Sequence, residues 1–179
     1  MSRARWFGVV LIVGAALSAW AGSRPAPPDW RPIAWPFPRD AWPPGLAFAC
    51  APATCGTEIR LYVRPKRGFC ANCETGVTSD AEVDGVADLD MIAADFTPLA
   101  PGQPFAAGDL AGRQRAYTLL LPHGRNTPAL GIAMTRHKQC DLVVAVAEGA
   151  VTDQAKRAID ALLTSDHVVP WITRALDGR

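Results

Sequence analysis

Five cysteines carry the most reactive chemistry in this 179-residue chain. Cys50-Ala-Pro-Ala-Thr-Cys55 forms a C-x4-C pair, Cys70-Ala-Asn-Cys73 a C-x2-C pair, and Cys140 stands apart. Three chemistries fit those spacings. The first is structural disulfide bonding. The second is a closed site of four thiolates around zinc, in which Gly56 would help a knuckle turn, although the first pair is wide for one. The third is thiol redox chemistry at Cys70 and Cys73, whose thiolate Lys66 and Arg67 would stabilise. A C-x2-C thiol is activated best when it opens a helix, and here Glu74-Thr-Gly-Val77 intervenes before the next helix signal. An odd cysteine count leaves at least one thiol unpaired within a monomer. The short loop containing Pro52 makes Cys50–Cys55 the preferred single bridge. Cys140 reads either as a buried apolar filler or as the partner of Cys70 or Cys73.

The compartment weighs between these chemistries, and the first 22 residues point to it. Arg3 and Arg5 precede Trp6–Gly22, a run without an ionisable residue, and Ala19 and Ala21 supply an A-x-A cleavage signature. Residues 1–22 therefore read as an export signal, or, uncleaved, as an N-terminal anchor attaching the protein to the inner membrane through residues 6–22. Either way the body is expected in the periplasm or outside the cell, where cysteines pair readily. The remaining chain is of single-domain length, and the formal net charge of the full sequence, +1, argues against a nucleic-acid partner.

Other groups offer weaker chemistry. Asp80-Ala-Glu-Val-Asp-Gly85 resembles the start of a calcium loop, but its twelfth position is Met91 instead of a carboxylate, and Ser79 with Glu82 fits a helix capping box. His123 and His137 fall in two predicted hairpin loops and are expected at one end of the sheet, with His167 elsewhere. Arg60, Arg64, Lys66 and Arg67 make a basic strip that Arg113, Arg115 and Arg125 would extend. The plain reading of the strip is a wet sheet face; the functional one is an anion site. No phosphate loop, nucleophile elbow, zinc-protease helix or dinucleotide fingerprint occurs.

These groups must be held by a scaffold. Residues 23–45, dense in proline and tryptophan, read as an extended segment ordered from near Trp35, and residues 46–179 as one domain. Period-two alternation predicts a strand over 57–64, with further strands at 46–50, 114–121, 129–135 and 141–147. Pro98 to Gly112 reads as a loop. An acidic helix is expected from Ser79 through Ile92. Thr152 caps a helix carrying Ala155, Ile159, Leu162 and Leu163, and Ser165 or Asp166 opens another through Val168, Ile172 and Leu176. The expected class is α+β: a mainly antiparallel sheet of four to five strands packed against two C-terminal helices, with the acidic helix at an edge or on the other face. The function expected is that of an exported, non-catalytic module, stabilised by disulfides, that binds a partner protein or envelope component. The alternative is a thiol-based redox or metal-handling protein using Cys70 and Cys73. No catalytic residue, metal ligand or cofactor is assigned.

Overall fold

The alternation of Ile59, Leu61 and Val63 with Arg60, Tyr62 and Arg64 builds the middle of a large antiparallel sheet. The computed structural model describes residues 30–68, 76–136 and 141–178. Its eight strands are β1 (Trp30–Ile33), β2 (Leu46–Cys50), β3 (Ile59–Lys66), β4 (Asp95–Pro98), β5 (Gln103–Ala107), β6 (Leu110–Leu120), β7 (Asn126–Arg136) and β8 (Leu142–Glu148). They lie in the order β1-β2-β3-β8-β7-β6-β4, and β5 pairs with the first half of β6 while β4 pairs with its second half. Every pairing is antiparallel.

The α+β class stands, with a sheet larger than the predicted four to five strands. Two differences account for the growth. The stretch read as a loop from Pro98 to Gly112 holds β5 and the start of β6, because Phe105 and Ala107 alternate inward against Leu110. Within the proline-rich segment, Trp30–Ile33, ahead of Trp35, already form a strand: β1 pairs with β2 and the Trp30 indole N–H donates to the Ala158 carbonyl at 3.3 Å.

Helices cover both faces. On the first, α3 (Asp153–Leu163) and α4 (Val168–Leu176) set Ile159, Leu163 and Ile172 against Leu61, Ile132, Met134 and Val143. Thr152 caps α3 as expected by accepting the Ala155 amide at 3.2 Å, whereas α4 begins at Val168 with His167 at its N-cap, and Ser165, two residues earlier, accepts the Val168 amide at 3.2 Å. On the second face, α2 (Asp80–Val86) and a 3-10 turn (Leu89–Met91) lay Val83, Val86 and Leu89 over Tyr117, Leu119, Val144 and Val146. The acidic helix stops well short of Ile92 because Asp88 takes a left-handed backbone, φ 58°. Among the described residues no helix is long and apolar enough to cross a membrane.

The preferred bridge is present: Cys50 and Cys55 are disulfide-bonded across the short helix α1 (Pro52–Cys55), and both are buried. Closing so small a loop in the unfolded chain is worth about 2 kcal/mol. Cys50→Ser is therefore expected to lower the melting temperature of the oxidised protein. Equal melting of wild type with and without reductant would contradict that value.

Candidate functional site

Charged residues on the second face fall into three groups, two of which are consumed by the fold. The first lies under the chain that links β1 to β2. Arg64, 5% exposed in its side chain, donates from Nε to Asp88 at 2.7 Å and from Nη1 to Asp40 at 2.6 Å. Lys66 also pairs with the Asp88 carboxylate, and its ammonium sits 5.7 Å from the Trp42 ring centre. Beside them Trp35, Phe37 and Tyr62 stack edge to face, with centroids 4.8 to 6.3 Å apart. This strap buries the part of β3 that alternation alone reads as wet.

The second group fixes α2. Arg113 reaches Asp80 at 2.5 Å, Arg115 reaches Asp84 at 2.5 Å, and the Tyr117 hydroxyl donates to Asp84 at 2.6 Å. The carboxylates of the calcium-like segment are thus turned to arginines, and Glu82 closes the capping box by accepting the Ser79 amide at 2.7 Å. Desolvation opposes the charge on Glu82, but hydrogen bonds from Ser79 and Thr78 outweigh it and hold the carboxyl down at about 2. Asp80 is lowered too, by the Gly102 amide first and Arg113 next. A carboxyl lowered in the folded state stabilises above its unfolded value and loses that contribution as pH falls through the folded value. Melting temperature should therefore drop between pH 4.5 and about 2, and Glu82→Gln should give a shallower slope in thermal unfolding followed by circular dichroism. Parallel curves for the two proteins would rule this out.

The third group stays open. The register places Arg31 on β1 opposite Ala49 on β2, Ala49 opposite Arg60 on β3, Arg60 opposite Glu148 on β8, and Glu148 opposite Ala129 on β7. Side chains alternate faces along a strand, so this row shares the second face; Ala129 is buried in the cluster under α2, while Arg31, Ala49, Arg60 and Glu148 keep exposed surface. Two clefts lie along it. One, of about 480 Å³, is lined by Arg31, Ala49, Cys50, Ala51, Pro52 and Glu58. The other, of about 290 Å³, is lined by Glu58, Arg60, Arg125, Thr127, Glu148 and Gly149. Glu58 lines both, so the two clefts adjoin along the row and are together called the groove. Gly149 lines the second at φ 130°, where a Cβ would collide with the Glu58 carbonyl oxygen.

The groove is electrostatically mixed. Arg60 meets Glu58 at 3.4 Å, but both side chains are more than half exposed, which makes the pair weak. The Tyr62 hydroxyl donates to Glu148 at 3.3 Å; desolvation, then the Glu148 charge, pushes the phenol up to about 12. Arg31 and Arg125 make no ion pair among the described residues.

Of the residues singled out in the sequence, Cys50 helps line the groove. Cys70, Cys73, Cys140 and His137 lie outside the described residues, as do residues 1–29. The basic strip divides: Arg60 and Arg125 face the groove, Arg64 and Lys66 are buried with Asp88, and Arg113 and Arg115 clamp α2. His123 lies in the turn before β7, whereas Arg136, which precedes His137, ends that strand at the opposite end of the sheet. The expectation that pairs His123 with His137 falls on a residue outside the described ones. Arg31, Glu58 and Glu148 carried no signal of their own, because their meeting depends on strand order. No family model matches the chain, and no curated protein matches it in sequence.

Proposed function

We propose that this protein is an exported, non-catalytic module that binds a partner protein or an envelope component through the groove at the ends of β1, β2, β3, β8 and β7. The observation that carries the reading is the contrast on one face of one sheet. Most of that face is sealed by α2 and the aromatic strap, while a charged groove is left open with the Cys50–Cys55 bridge at its side. A concave site with a few convergent polar groups on rigid strands is the form a recognition surface takes. The basic lead and apolar run of residues 3–22 support export.

Two measurements test it together. Alkaline phosphatase fused to the C-terminus should be active, as it is only beyond the inner membrane. A photoreactive residue at Ala49 should give a discrete adduct in cells that the same residue at Arg157, exposed on the opposite face, does not give, and Arg125→Glu should weaken it. Identical adducts from both positions, or none, would sink the binding reading.

The second reading, thiol exchange or metal handling at Cys70 and Cys73, draws support from one contact. The Gly68 amide donates to the Asp141 carboxylate at 3.0 Å, and these residues flank the segments that carry Cys70, Cys73 and Cys140. Alkylation under denaturing, non-reducing conditions separates the readings. One free thiol favours a purely structural set; three favour thiol chemistry.

A further inference from the structure

We infer that the groove recognises an extended peptide segment with acidic residues at both ends and a basic residue between them. This rests on the binding role proposed above and names the ligand class for that groove. The charge pattern carries it. Arg31 stands at one end and Arg125 at the other, each without an ion pair among the described residues. Between them Glu58 and Glu148 share the floor with Arg60, whose pairing to Glu58 is loose at 3.4 Å. A dense polyanion, such as a nucleic acid or an anionic lipid surface, would be drawn by the arginines and repelled by both glutamates. A chain that places carboxylates at the ends and an ammonium between them meets Arg31 and Arg125 with anions and the two glutamates with a cation, leaving Arg60 to its contact with Glu58.

The spacing agrees with a peptide. From β1 to β7 the sheet order gives four inter-strand steps, or about 19 Å at ~4.8 Å each. An extended chain advances about 3.3 Å per residue, so its terminal carboxylates sit roughly six residues apart, and because side chains alternate faces the cation that shares their face stands at the third or fifth position. Ala49 and Gly149 keep the floor low enough for a backbone to lie across it.

The probe is a blocked synthetic peptide of about seven residues with aspartate at each end, lysine at the third position, on the same face as both aspartates, and small neutral residues elsewhere. Binding to the full mature protein is measured by calorimetry. This peptide should bind at least tenfold more tightly than its charge-reversed counterpart. Arg31→Glu and Arg125→Glu should each weaken it about fivefold, and the double variant should prefer the reversed peptide. Arg157→Glu, on the opposite face, should leave the affinity unchanged. Equal binding of both peptides, or displacement of the peptide by inorganic phosphate or by vesicles of anionic phospholipid, would overturn the inference. If the peptide fails while the Ala49 adduct forms, the ligand class falls and the binding role stands; if the adduct also fails, the role falls with it.

Discussion

Replacing Asp88 by Asn is expected to remove about 3–5 kcal/mol of unfolding free energy, the cost of neutralising a buried carboxylate that two buried cations share. Arg64 and Lys66 are 5% and 6% exposed in their side chains, and Asp88 is the buried anion that both contact. Asparagine tolerates the left-handed backbone that Asp88 adopts, so the substitution tests charge and leaves φ alone. Asp40→Asn is the control. Its carboxylate also touches Arg64 but is 43% exposed, and its loss should cost about 1 kcal/mol at most. Guanidinium unfolding at neutral pH measures both. An Asp88→Asn protein within about 0.5 kcal/mol of wild type would mean that solvent reaches the pair and that β3 is less enclosed than described.

Gly112→Ala should be nearly as damaging, at about 3 kcal/mol. Gly112 sits opposite Met134 in the β6–β7 ladder, and an added Cβ would meet the Ala133 carbonyl oxygen and stand 2.7 Å from the Met134 Cα. Those are backbone atoms of the neighbouring strand and cannot rotate aside. The pairing must part locally, and faster amide exchange at Ala133 and Met134 should report where. Gly85→Ala, where an added Cβ meets nothing within 4 Å, is the matched comparison and should raise stability slightly through helix propensity. Equal stabilities for the two variants would show that β6 and β7 can part at Gly112 without cost.

What could be read from the chain alone was local. Ser79 and Glu82, and Thr152 with Ala155, announce helix starts within four residues of sequence, and the short loop holding Pro52 announces the Cys50–Cys55 bridge. The stripes of α3 and α4 follow from their 3.6-residue period. What could not be read was whatever depends on partners far away. Arg64 and Lys66 look like a wet strand face until Asp88, on a turn after α2, closes over them. β1 is masked by Pro32, tolerable only because β1 is the outer strand of the sheet, and β5 by the glycines and prolines around it. The groove is the extreme case, since its residues come from five strands whose adjacency no local pattern encodes.

The pairing of β3 with β8 also dictates when the molecule can mature. Ile59–Lys66 has β2 on one side, but its other side waits for Leu142–Glu148, and α3 and α4 come later still. Closing so long an intervening segment is slow and entropically costly. A polypeptide emerging N-terminus first, from a ribosome or through a translocation pore, therefore remains unclosed until nearly all of it has come through. Chains ending before Leu142 should never reach the native state, whatever their first strands favour.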